Sequence, residues 1–309
     1  MKIHHIMHTG ANNFYWLSVL NELRTVYGIQ VKISRLNHYE REGNWDGDVL
    51  TYQTFPDENQ PSKFNPKLTE KTDKLFNEFQ GLKILVDSHD DGDKDAFTRF
   101  NNWSTPRIKA FPSKRFMKDY NVVLKTTFSS ELMEIYPDKY DRDIILSCKF
   151  GEHRYHHDIR DGIKHQLEKF SDVNFEWEPG REAFIDSLRK TLISIAAPGH
   201  GQHTATHQCT FRSGALLFTH TSFNDIHYLP HYDLVDGVDF ISYDLFNFTD
   251  KLKWVLSKPD MIHNIRMNGQ HALEQGYNIN WSAIQFHNYL TIELREHTSI
   301  TIPPEYYKK

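Results

Sequence analysis

The sequence predicts an α/β protein whose two parallel-sheet halves face each other across a cleft. Three observations lead there. Strand-like apolar runs alternate with amphipathic helical runs along most of the chain, the alternation restarts after the turn-rich "YPDKYDR" near residue 142, and glycine- or histidine-bearing loops follow the strands in both halves. Alternation of this kind favours parallel pairing with helices on both sheet faces, and 309 residues suffice for two such halves.

The elements follow in order. "KIHHIMHT" alternates apolar and polar residues and stops at Gly10. In "FYWLSVLNELRTVYG", Trp16, Leu20, Leu23 and Tyr27 keep helical spacing, and Gly28 marks the stop. "IQVKISRL" and "GDVLTYQTFP" read as further strands, the second bounded by Gly47 and Pro56. A polar loop, a helix near 66–79 and the strands "LKILVD" and "DYNVVLKTT" complete the first half. The second half opens on the strand "DIILSCKF" and the helix "IRDGIKHQLEKF", with Ile159, Ile163, Leu167 and Phe170 on one stripe. "VNFEW", "TLISIAA", "GALLFTH" and "GVDFISY" read as strands, separated by the helices "PGREAFIDSLRK" and "HTATHQCTFRS". Three helices close the chain: "TDKLKWVLSK", "PDMIHNIRMNGQHALEQ" and "NWSAIQFHNYLTIELREH".

Composition narrows the function classes. Apolar residues at 39% and aromatics at 14% support real cores and exclude a disordered chain. A net charge of −5 gives no global attraction to nucleic acid, so such a partner needs a local basic patch. Cys148 and Cys209 form neither a disulfide framework nor a zinc pattern and are expected to be buried, reduced thiols. There is no signal-peptide core and no run of membrane-spanning length, so a soluble, cytoplasmic protein is expected.

The stretch "FIDSLRKTLISIAAPGHGQHTATHQCTFRSGALLFTH", followed by "DLVDGVDFISYDLFNFTDKLKWVLSKPDMIHNIRMNGQHAL", resembles the donor domain of GT-B glycosyltransferases. Within that fold it is most similar to exostosin-like and group-1 enzymes. The shared features are a strand ending in a glycine loop, a helix, a Gly-Ala-Leu-Leu strand, an Asp-Gly stretch and an Asn-Gly helix, over roughly 145–280. The first half shares only the general layout. The resemblance implies two Rossmann-like domains: an acceptor domain over 1–142 and a nucleotide-sugar domain over 143–280. A helix and tail over 281–309 would pack back on the first domain. It implies sugar transfer from a nucleotide-sugar co-substrate, a UDP-sugar, to a hydroxyl of a glycan or of a hydroxymethylated DNA base, as in phage DNA glucosyltransferases. It implies no obligatory metal or cofactor and leaves the oligomeric state open. Such families carry an Arg and a Glu on the helix before the Gly-Ala-Leu-Leu strand, where this chain has Thr206 and Cys209. Two other readings stay open: a catalytically silent nucleotide-sugar or nucleic-acid binding module, and a metal-dependent hydrolase using the histidines.

Site candidates cluster in loops that follow strands. In "PGHGQHT", Gly199 and Gly201 allow close backbone approach, and the amides and dipole of the next helix favour a diphosphate. His200, His203 and Thr204 can donate hydrogen bonds there, and Thr206 is a further donor-binding candidate; a purely structural turn is the alternative. His203 and His207 have two-ligand spacing, but no HExxH glutamate and no acidic third ligand accompany them, so no metal is expected. In "CKFGEHR", Lys149 and Arg154 can neutralise a departing diphosphate, with Arg160 a weaker candidate and solvated surface charge the alternative.

"VDSHDDGD" offers the base an inverting transfer requires: Asp90 and His89 first, then Asp87, against a reading as a solvated acidic loop. "HTGANN" offers His8, Gly10 and Asn12 to the acceptor and lacks a full GxGxxG, so a nicotinamide cofactor is not expected. In "HTSFNDIHYLPHYD", His220, Asn224 and Tyr228 can meet the donor's base or sugar, or simply pack. "PRIKAFPSKRFMK" carries Arg107, Lys109, Lys114, Arg115 and Lys118 with Phe111 and Phe116 between them. That pattern suits a phosphate backbone, or ordinary solvated surface.

Overall fold

The computed structural model describes residues 1–7, 14–35, 47–54, 70, 74–88, 92–93, 104–127, 135–136, 141–150, 156–176, 180–199 and 201–297. The first half forms a six-stranded parallel sheet from β1 (Lys2–Met7), β2 (Gln30–Arg35), β3 (Val49–Thr54), β4 (Leu82–Asp87), β5 (Arg107–Ala110) and β6 (Val122–Thr126), in the order β2-β1-β3-β4-β5-β6. The second is a five-stranded parallel sheet from β7 (Ile144–Cys148), β8 (Val173–Asn174), β9 (Thr191–Ala196), β10 (Leu216–His220) and β11 (Ile241–Tyr243), in the order β11-β10-β9-β7-β8. In both sheets the first strand lies between the second and third. This is the doubly wound order, with a crevice at the carboxyl ends of strands one and three.

With one exception the described helices sit where the periodicity placed them. In the first half these are α1 (Phe14–Tyr27), α2 (74–78) and α3 (Lys114–Asp119). In the second they are α4 (His157–Leu167), α5 (Arg181–Arg189), α6 (Ala205–Ser213), α7 (Phe248–Leu256), α8 (Pro259–Gly276) and α9 (Ile279–His297). Helix α1 ends where the pattern required, with Gly28 at φ +64. The helix expected near 66–79 is helical at residues 70 and 74–78 among the described residues.

Strand β5 and helix α3 were not legible as such: their sequence reads as a basic aromatic patch. Flanked by β4 and β6, β5 is covered on both faces and wholly buried. Ile108 and Ala110 point into the apolar core, so Arg107 and Lys109 point into the opposite buried face. Lys109 Nζ meets Asp87 Oδ1 of the neighbouring strand at 3.1 Å, both side chains fully buried. Arg107 lies 4.5 Å from the Tyr120 ring. Arg107 and Lys109 therefore leave the list of acceptor contacts.

One apolar cluster joins the two halves. It runs from Ile3, Trp16, Leu20 and Ile108 through Phe111 to Ala196, Phe211, Phe223 and Tyr228. Helix α9 returns to the first sheet: Phe286 meets Trp16 edge-on at 5.0 Å, and Ser282 Oγ lies 2.7 Å from the Tyr15 hydroxyl. Cys148 and Cys209 are buried thiols that are not joined in a disulfide. No described helix is long and apolar enough to cross a membrane.

Candidate functional site

The crevice of the second sheet lies between β7 and β9, and the loop after β9 is "PGHGQHT". Strand β9 is apolar and buried to Ala196, and the chain then turns at Pro198–Gly199. Gly199 N–H donates to Gly201 O at 2.9 Å. A Cβ on Gly199 would lie 2.7 Å from Thr204 Cγ2, so only glycine fits the turn. Thr204, in extended backbone, caps α6 by a reciprocal arrangement. Its side chain accepts from the His207 amide, and its own N–H donates to His207 Nδ1 at 2.9 Å. Because Nδ1 accepts, the ring proton sits on Nε2 and is donated to Thr219 Oγ1, 2.8 Å away.

Complete burial, with His203 and Arg160 adding to it, drives the His207 pKa down to about 3. Both ring nitrogens of His207 thus serve the protein neutrally, and the i,i+4 pair with His203 is not a metal-ligand pair. His203 instead packs on Phe111, ring centroids 3.8 Å apart. Among the described residues no three His, Cys, Asp or Glu side chains come together where a metal ion could be held. Thr204→Ala removes the cap and is expected to cost about 1 kcal/mol in urea unfolding; an unchanged midpoint would show that the cap contributes nothing.

Beneath the turn lies Arg160 of α4, only 5% exposed. Its Nε and Nη2 both donate to Pro198 O, at 3.0 and 2.9 Å, and its guanidinium stands 5.3 Å from the Phe150 ring. Burial pulls the guanidinium below its ordinary pKa, opposed by Cys148 and Tyr243. The weaker sequence candidate is the cation placed against the glycine loop. Lys149, ranked above it, is buried and donates its ammonium to Ser187 Oγ on α5. Arg154 and His200 lie outside the described residues.

His220, at the end of β10, is half-buried and accepts from Ser222 N–H on Nδ1 at 3.2 Å. Burial lowers its pKa first; nearby His156 lowers it further, and Asp244 opposes this. Asn224 Nδ2 donates to Ser242 Oγ at 3.2 Å. Tyr228 is buried against Phe111, ring centroids 5.4 Å apart, so it belongs to the seam between the halves and not to a donor pocket. Thr206 is buried, its carbonyl accepting from Thr210 Oγ1 at 2.7 Å. Cys209 packs with Phe184, Ile185 and Leu188, an apolar site that would strongly disfavour a glutamate.

On the facing side, Asp87 is committed to Lys109 inside the sheet and is corrected from candidate base to interior ion pair. His89 and Asp90, like His8, Gly10 and Asn12, lie outside the described residues. Strands β1 and β3 carry a buried network close to their carboxyl ends. His5 Nε2 lies 3.1 Å from Gln53 Oε1, Gln53 Nε2 donates to Ser88 Oγ at 2.9 Å, and His5 Nδ1 lies 2.9 Å from Thr51 Oγ1. Burial lowers the His5 pKa to about 4. Lys114, Arg115 and Lys118 are exposed on α3, with Arg115 3.9 Å from Asp119. One residue escaped sequence reasoning: Gln202, whose amide spans the seam. A lone glutamine between histidines gives no periodic or charge signal.

No protein-family model matches the chain, and no curated protein matches it. Solved structures do. An alpha-glucosyltransferase in complex with UDP-glucose and DNA containing an abasic site aligns with a TM-score of 0.56 at 8% identity, over 94% of this chain and 99% of that one. Sucrose-phosphate synthase from Thermosynechococcus elongatus aligns with a TM-score of 0.58 at 8% identity, over 96% of this chain and 100% of that one. A glycosyltransferase from Rickettsia africae ESF-5 aligns with a TM-score of 0.55 at 9% identity, over 96% of this chain and 99% of that one. With two doubly wound parallel sheets packed across a seam and a last helix returning to the first sheet, the chain has the GT-B fold.

Proposed function

We propose that the protein is a glycosyltransferase that moves a sugar from a UDP-sugar to an acceptor hydroxyl, with no obligatory metal. The observation that carries this reading is the Arg160 guanidinium clamped under the Pro198–Gly199 turn at the amino end of α6. A buried cation beside a helix amino end favours an incoming anion, and the anion generated in sugar transfer is the nucleoside diphosphate. In the reaction the acceptor oxygen forms a bond to the anomeric carbon as that carbon's bond to the diphosphate breaks. The α6 amides, Gly199, Gly201, Thr204 and Arg160 hold the departing diphosphate, with Arg154 and His200 in the same segments. His220 faces the sugar or base. In an inverting reaction the acceptor proton goes to Asp90 or His89.

On this reading residues 1–142 form the acceptor side, 143–280 the donor side, and 281–309 the return. The similar solved structures that act on sugars support the class. For the acceptor, helix α3 is capped by Ser113, within the seam, and presents Lys114, Arg115 and Lys118 to solvent. This favours a polyanion such as hydroxymethylated DNA over a neutral glycan. The experiment is acceptor-dependent UDP release from UDP-glucose and UDP-N-acetylglucosamine in EDTA, with oligosaccharides or hydroxymethylcytosine duplex as acceptors. Release is expected with the duplex, and it should fall as salt rises. Thermal stabilisation by zinc, with none by any UDP-sugar, would sink the transferase reading; binding without turnover would mark a silent module.

A further inference from the structure

The glycine loop is itself part of the seam. Gln202 Oε1 accepts the Gly92 N–H at 3.0 Å, and Gln202 Nε2 donates to Asp93 Oδ2 at 3.3 Å. The Gly92–Asp93 turn is fixed in turn to the start of α3. Ser113 Oγ donates to Asp93 Oδ1 at 2.5 Å, and Ser113 N–H donates to Gly92 O at 3.1 Å. A Cβ on Gly92 would lie 2.5 Å from Phe111 O, so the turn admits only glycine. Around this pair the seam is closed by Phe111, held in the left-handed region at φ 47 with its ring on His203. An antiparallel bridge between Ser113 and Ile226 and the bond from His227 N–H to Pro112 O at 2.8 Å complete it.

We propose that Gln202 is a positioning residue that couples the glycine loop to the Gly92–Asp93 turn, so that a diphosphate held by one is felt by the other. The proposal rests on the nucleotide-sugar reading of the glycine loop. The chemistry is specific to an amide. One end must accept from a backbone N–H while the other donates to a carboxylate, which alanine cannot do and glutamate can do only by half. Gln202 lies just ahead of the cap Thr204, so movement of the loop onto an anion moves the amide with it. The two bonds are part-buried or exposed, which makes a joint that opens and re-forms readily.

Amide hydrogen exchange of the full chain, with and without UDP, tests this. In the wild type, UDP is expected to slow exchange about tenfold both in a peptide covering 201–207 and in one covering Gly92 and Asp93. In Gln202→Ala and Gln202→Glu the first protection should persist and the second should vanish. Gln202→Glu combined with Asp93→Asn should restore it, because the donor and acceptor have exchanged sides. Protection of Gly92–Asp93 that survives Gln202→Ala overturns the coupling, as does failure of the double variant to restore it. A wild type in which UDP protects neither peptide overturns the donor-site reading. In that case unchanged unliganded exchange at Gly92 in Gln202→Ala overturns the clamp separately, and a rise sustains it.

Discussion

Between pH 7 and pH 5 the protein is expected to lose about 4 kcal/mol of stability, from two buried histidines alone. His207 titrates at about 3 and His5 at about 4 in the folded chain, both from 6.5. In each case the largest cause is burial away from water, and in each a ring nitrogen already accepts a hydrogen bond that protonation would break. Over the window from 6.5 down to about 4 the unfolded chain binds these protons and the native chain does not, so stability falls as pH falls. Each group contributes roughly 1.4 kcal/mol per pH unit there. Burial lowers His220, His231 and His287 as well, which adds loss of the same sign. Asp239, raised by its own burial, acts with the opposite sign. Urea unfolding at pH 7, 6 and 5 reads the effect directly. A midpoint that holds constant across those three values would mean that the two histidines are solvated or charged in the native protein.

Replacing Arg160 by alanine is expected to weaken UDP binding by about a hundredfold, in line with the loss of a charge-assisted group aimed at a diphosphate. Arg160 has two separable contributions, charge and support of the Pro198 carbonyl. Arg160→Gln keeps a donor for that carbonyl without the charge, whereas Arg160→Lys keeps charge without the fork. Titration calorimetry with UDP should therefore place Arg160→Lys nearest the wild type and Arg160→Ala furthest from it. If Arg160→Gln binds UDP as well as the wild type, the cation does not face the diphosphate and the site lies elsewhere along the cleft. Circular dichroism at pH 7 separates this outcome from simple unfolding.

The strands and helices of the second half were legible almost throughout, because each combines an apolar run with a turn signal that depends only on neighbours in the chain. The stop at Gly28 is of this kind: the glycine takes positive φ, at +64. Strand β5 was misread for the opposite reason. The polar members of "RIKA" are hidden because their partners, Asp87 and Tyr120, are supplied by other elements, and no local pattern announces that Lys109 will be neutralised from a neighbouring strand.

The candidate site divides along the same line. The glycine turn and the helix behind it follow from sequence, since hydrogen bonds between residues close in the chain need only the right residue types in order; the cap at Thr204 emerged from the structure. The ranking of the cations did not follow. Lys149 and Arg160 differ little as sequence, and only the crossing of α4 beneath the β9 loop brings Arg160 to Pro198 and sends Lys149 to Ser187. His207 likewise has only the spacing of a metal pair in sequence, and that Thr219, on the next strand, takes its second nitrogen is decided by the fold. Periodicity and turn chemistry act over a few residues and so are written in the chain itself. Which charges are buried, paired or left facing the cleft is settled by contacts between distant segments, and those exist only once the two sheets have packed.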